Sequence, residues 1–221
     1  MGLETPDSGT IDGLKNLKIS AVFQEDRLLE GYDVLTNLRF VCRQRLSDAE
    51  LSAYAAALLP QNALFQPVCE FSGGMKRRVG LVQALLHEPE FLIVDEPTTG
   101  LDPEERIRIR NLLVDFAKGR TVLFSTHVVE DIAATCSNLA VMRKGTFLYT
   151  GTVQDLLNHA KGKIWMAAVS GEDEARGLEA KYHITSKQYT EEGMTVKMIS
   201  DTRRPCRVPS PKSLWRTRIC I

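Results

Sequence analysis

Residues 91–102 read FLIVDEPTTGLD and constrain the fold more than any other stretch. Four apolar residues, Phe91 to Val94, read as a buried strand. The strand runs into two adjacent acids, Asp95 and Glu96, then Pro97 and a turn. Asp102-Pro103-Glu104-Glu105 then opens a helix, with a capping acid, a first-turn proline and acids near the positive end of the helix dipole. At the carboxyl ends of parallel strands, side chains face the crevice where α/β proteins bind ligands. An Asp there is well placed to hold hydrated Mg²⁺, a hard ion that prefers oxygen. A second acid beside it could accept a proton from an attacking water. For an isolated Asp-Glu pair, a capped strand end with solvent-facing acids is the commoner arrangement.

The surrounding pattern alternates strands with helices, which implies an α/β core. MGLETPDSGTIDG carries turn chemistry and predicts a short hairpin. KISAVFQ, Lys18–Gln24, reads as a buried strand ending in an amide. Helical spacing runs from about Val34 to Leu59 and stops at Pro60. Ser72-Gly73-Gly74 then stands where a helix starts, with Met75, Val79, Val82, Leu85 and Leu86 at helical spacing behind it. TVLFST is another strand and leads to His127; a helix over about Val129–Cys136 follows, then LAVMRKGTFLYTG as strand, turn and strand. Residues 153–201 read as a small α+β extension. Residues 202–221 hold six bases, three prolines and no acid, a composition expected to be disordered.

Several of these positions suit an anion. Two glycines at a helix start expose backbone N–H groups where the dipole is positive, and Ser72 adds a hydroxyl. An ordinary capped helix fits the same residues equally well. His127 could donate to a phosphate oxygen or cap the next helix, and a lone strand-end His is usually structural. Gln24 could orient water or a metal, or be a surface amide.

Composition removes other classes. Formal net charge is zero, which gives no electrostatic case for nucleic acid or for bulk membrane surface. Five cysteines occur singly, with no CxxC pair, as in a reduced cytosolic protein rather than a disulfide framework or zinc site. No signal peptide and no bilayer-spanning apolar run is present, so a membrane role requires a partner.

Taken in order, these motifs resemble the ATP-binding subunit of an ABC transporter over roughly residues 1–152. Gln24 is similar to the Q-loop glutamine, and SGGMK to the signature motif, with Met75 where the family most often has Gln. FLIVDE resembles Walker B, GLD (Gly100–Asp102) the D-loop, and STH puts His127 at the switch position. The resemblance implies a P-loop NTPase-like α/β core with a helical subdomain over about residues 28–72. It implies ATP and Mg²⁺ as cofactors, with Asp95 and Gln24 as metal-associated residues and Glu96 and His127 as catalytic ones. Ser72, Gly73, Gly74, Gln24 and Asp102 would be nucleotide-binding. Two subunits, in a homo- or heterodimer, would sandwich two ATP molecules, each site borrowing the other subunit's signature motif. Integral membrane transporter subunits would be the further partners, on the cytoplasmic face of the cell membrane, and nucleic acid would not be one. AVFQEDRLL and EFSGGMKRRV resemble importer subunits for small anions, whereas LFSTHVVEDIAATCSNLAVMRKGTFLYTGT looks more like exporter subunits.

One family motif is missing from these residues. A P-loop needs G-x-x-x-x-G-K-[ST], in which backbone N–H groups cradle phosphates, Lys meets their charge and a hydroxyl meets Mg²⁺. The only Gly-Lys pair, Gly162-Lys163, is followed by Ile and lacks the upstream Gly. In the family a segment like GLETPDSGTI follows the P-loop helix, so the expectation is an N-terminally truncated chain without the P-loop strand and helix. Each charge-assisted phosphate contact contributes about 1.5–3 kcal/mol, so losing several together predicts a chain inactive by itself. Three readings stand: a catalytically incomplete transporter ATPase subunit, a non-catalytic subunit lending its signature motif to another ATPase, and a soluble non-transport ABC ATPase. The short helical segment and single nucleotide-binding half disfavour the third.

Overall fold

The computed structural model describes residues 5–14, 16–25, 27–42, 44–190, 193–201 and 215–216. It divides into two units, residues 1–136 and 137–221. The sequence places the end of the first domain at Thr152. Among the described residues, the strands after Cys136 pair with each other and not with the parallel sheet.

The first unit is built on a parallel sheet of β1 (Ile19–Val22), β2 (Phe91–Asp95) and β3 (Thr121–Ser125), in that order. Val22 aligns with Val94, and Asp95 with Ser125. Helices α1 (Val34–Val41) and α2 (Asp48–Ala56) follow β1; α3 (Gly73–Leu85) leads into β2, α4 (Pro103–Phe116) into β3, and α5 (Val129–Thr135) follows β3. Leu92 and Val94 of β2 pack with Leu81, Ala84, Ile109 and Leu113 in one core. Val79, Val82 and Leu86 from the other face of the α3 segment pack with Val34, Leu35, Leu38, Leu51 and Val68 in a second. Helix α3 therefore belongs to both layers of the unit, and the alternation of its apolar residues is what lets it do so.

The helical spacing over about Val34–Leu59 is carried by two helices, because Ser47 and Glu50 form a reciprocal capping box that starts a new helix at Asp48. Two expectations are corrected here. The hairpin expected at the start is absent from the described residues 5–14, which form bends; its Thr10, Ile11 and Asp12 are exposed and bury no face that could hold a strand. The strand expected over Lys18–Gln24 covers only Ile19–Val22, and only Val22 is buried, since β1 lies at the edge of the described sheet.

The second unit begins with a hairpin of β4 (Asn138–Arg143) and β5 (Thr146–Thr152). Lys144 and Gly145 turn it with φ of 48° and 76°, the backbone of a tight two-residue connection. Helix α6 (Val153–Ala160) comes next. Then β6 (Ile164–Val169), α7 (Glu172–Glu179), β7 (His183–Thr190) and β8 (Gly193–Ile199) form an antiparallel sheet with a helix around Ala167, Val169, Leu178, Val196 and Met198. The basic tail expected to be disordered lies outside the described residues except Trp215–Arg216, which form β9 against β6. Among the described residues, no helix is long and apolar enough to cross a membrane.

Candidate functional site

The register of the parallel sheet brings Gln24, the Asp95-Glu96 pair and His127 to the carboxyl ends of three neighbouring strands. The chain turns sharply there. Glu96 has a φ of 47°, in the left-handed region that a side chain adopts only under constraint. Its amide donates to the Ser125 carbonyl at 3.2 Å and lies 3.2 Å from the Ser125 hydroxyl. That hydroxyl in turn donates to Asp95 Oδ1. One side chain on β3 thus orients both acids.

The Glu96 carboxylate accepts from Thr99 Oγ1 at 2.9 Å, and both of its oxygens lie 2.9 Å from His127 Nδ1. A carboxylate can only accept, so Nδ1 carries the hydrogen and Nε2 is left for another partner. The His127 side chain is 71% exposed and that of Glu96 18%. An open imidazole therefore stands over a largely sheltered carboxylate. Gln24 is exposed beyond β1.

Arg77 underlies this site and was not singled out from the sequence. It is buried, and its guanidinium donates to the carbonyls of Phe23, of Asp95 at 2.9 Å and of Glu96 at 2.8 Å. A second support is the buried Thr98, whose hydroxyl donates to Asp131. Asp131 is buried on α5 and pairs with Arg110 of α4 at 3.3 Å.

The glycine motif occupies a separate corner. Ser72 caps α3, its Oγ accepting from the Met75 amide at 3.3 Å. A Cβ on Gly73 would meet nothing within 4 Å, whereas one on Gly74 would lie 3.2 Å from Leu101 Cδ2. Gly74 therefore lets the helix start approach the turn that ends in Asp102. Asp102 caps α4, accepting from the Glu105 amide at 2.9 Å. Arg78 and Glu105 pair at 3.2 Å and tie the two helices together. The structure thus gathers the eight sequence-selected residues into two groups. Gln24, Asp95, Glu96 and His127 share the strand ends. Ser72, Gly73, Gly74 and Asp102 line the meeting of two helix starts.

Asp95 has one oxygen engaged by Ser125, and its other oxygen has no hydrogen bond among the described residues. Among those residues no group of three or more His, Cys, Asp or Glu could hold a metal ion. That donor set fits a cation bound through a single carboxylate, the rest of its shell being water and phosphate, as Mg²⁺ commonly is.

Comparison with known proteins gives a consistent picture. The ABC transporter family profile matches residues 1–99. An uncharacterized ABC transporter ATP-binding protein of Bacillus subtilis, YxlF, is 36% identical over 131 residues, covering 59% of this chain and 44% of YxlF. The Nod factor export ATP-binding protein I of Rhizobium meliloti is 35% identical over 181 residues, covering 73% of this chain and 53% of that protein. Its counterpart in Rhizobium johnstonii is 37% identical over 158 residues, covering 67% and 50%. The chain spans about half the length of the curated relatives it matches.

Proposed function

The chain belongs to the ABC transporter family of ATP-binding proteins, and on that premise we propose that it is the ATP-binding subunit of an export-type transporter. The observation that carries the site assignment is the Glu96–His127 pair at 2.9 Å, set at the ends of adjacent parallel strands beside Asp95. Export rests on the names of the relatives, which include Nod factor export proteins.

In this reading Asp95 contributes an oxygen to Mg²⁺, with Gln24 beside it, and Glu96 takes the proton from the attacking water. Thr99 and His127 hold the Glu96 carboxylate for that task. His127 Nε2 faces outward as the group that contacts phosphate. When bound, ATP and Mg²⁺ supply the phosphoryl group and neutralise its charge; the protein's part in such chemistry is positioning and electrostatics. Ser72 and the amides behind it serve the site of a second ATP-binding subunit, homo- or heterodimeric, from the separate corner that they share with Asp102. Membrane subunits carry the solute path, and this chain sits peripherally against them on the cytoplasmic face.

A second reading has its own support in the separate corner that Ser72–Gly74 share with Asp102. The chain would then lend its signature motif to another ATPase. Mixing the chain with an ABC subunit that has a P-loop and a disabled signature motif tests this part. Restored hydrolysis that disappears in Ser72→Arg, with unfolding unchanged, is the expected result. Equal rates with wild type and Ser72→Arg would contradict it.

A further inference from the structure

We propose that Arg77 is a positioning residue that locks the Gln24 loop and the Glu96 turn to helix α3, so that the two move together. The proposal rests on Gln24 and Glu96 being site residues. Phe23 immediately precedes Gln24, and its carbonyl accepts from Arg77 Nη1. The Asp95 and Glu96 carbonyls both accept from Nη2, at 2.9 and 2.8 Å. These acceptors come from the ends of two different strands, and one planar guanidinium holds all three. A partly buried carbonyl that loses its donor is costly, so the strand ends depend on this fork.

The position of Arg77 on α3 gives the lock a direction. The same helix begins at the Ser72 cap, seven residues before Val79 and ten before Val82 enter the core shared with α1 and α2. Its other face, through Leu81 and Ala84, packs on the sheet. A displacement of the helical layer that moves α3 must therefore carry the backbone of both Gln24 and Glu96, or break the three bonds at once. Glu96 is the point most sensitive to such a pull, because its left-handed backbone is held in place by its neighbours. Arg77 would thus link the corner holding Ser72–Gly74 to the acid that activates water.

Lysine separates this role from simple stabilisation. It keeps the charge and the aliphatic stem, but as a point donor it cannot span acceptors on two strands. Hydrogen–deuterium exchange of the full chain, wild type against Arg77→Lys and Arg77→Gln, reads the result. In Arg77→Lys, peptides covering residues 23–25 and 95–99 should both exchange about tenfold faster, with α3 and α4 close to wild type. Arg77→Gln should accelerate the same two segments at least as much. Wild-type exchange in either segment of the Lys variant, or acceleration spread evenly over residues 27–136, would overturn the proposal. The assay needs neither nucleotide nor hydrolysis. It can therefore fail while Glu96 proves to be the base, and the base assignment can fail while the lock holds.

Discussion

At the scale of single residues, the site is made by groups that fix backbone rather than by groups that touch a ligand. Ser125 orients Asp95 and the Glu96 amide together, and Arg77 takes up the carbonyls of both acids. Thr98 and Asp131 do the same for the turn behind them. Asp131 is 1% exposed and faces the Arg110 guanidinium and the Thr98 hydroxyl. Removing it leaves a cation and a hydroxyl without their acceptor, so Asp131→Ala should lower stability by about 3 kcal/mol in denaturant unfolding. Thr98→Val removes one neutral donor from a carboxylate that keeps its Arg110 partner and should cost about 1–2 kcal/mol. Costs in the reverse order would show that this buried pair does not hold the turn. The acids and His127 were legible in the sequence because each ends an apolar strand pattern. Arg77 and Asp131 were not. Among the described residues, carbonyls 18 to 54 residues away accept from Arg77, and a carbonyl has no identity in a sequence. Asp131 lies 33 residues from Thr98, in an ordinary-looking acidic first turn.

At the scale of elements, caps decided what could be read. Asp102-Pro103 marked the start of α4 because both signals lie within one turn, and α4 does start at Pro103. The Ser47–Glu50 box carries an equally local signal, whereas the helical spacing marks only a stretch from about Val34 to Leu59. Periodicity alone does not register the separate start of α2 at Asp48, from which α2 shares a core with α1. Strand β1 was legible in kind but not in length or burial, since edge position is a property of the sheet and not of the strand. Helix α3 shows the same limit. Its apolar spacing announced a helix, but only the packing reveals two buried faces belonging to two cores. That double membership is what gives a side chain on α3 influence over strand ends.

At the scale of the whole chain, the two units have separate cores with no residue in common. Both tryptophans, Trp165 and Trp215, belong to the second unit, whereas most helical residues belong to the first. Unfolding followed by tryptophan fluorescence and by far-ultraviolet circular dichroism should therefore give two midpoints. Ile109 is fully buried in the first unit, and Ile109→Ala should cost about 2–5 kcal/mol, shifting the dichroism midpoint and leaving the fluorescence midpoint in place. Equal shifts in both would mean that the units unfold as one. The central claim is that Asp95, Glu96 and His127 form a hydrolytic half-site to which only a phosphate cradle need be added. The direct measurement is ATP hydrolysis by these 221 residues with and without a strand–GxxGxGKST–helix segment joined to them, each with Glu96 and with Glu96→Gln. The account predicts no hydrolysis above background without the segment. It predicts hydrolysis with the segment, reduced on the order of a hundredfold or more by Glu96→Gln. Hydrolysis by the segment-bearing protein that survives Glu96→Gln at the wild-type rate would contradict it.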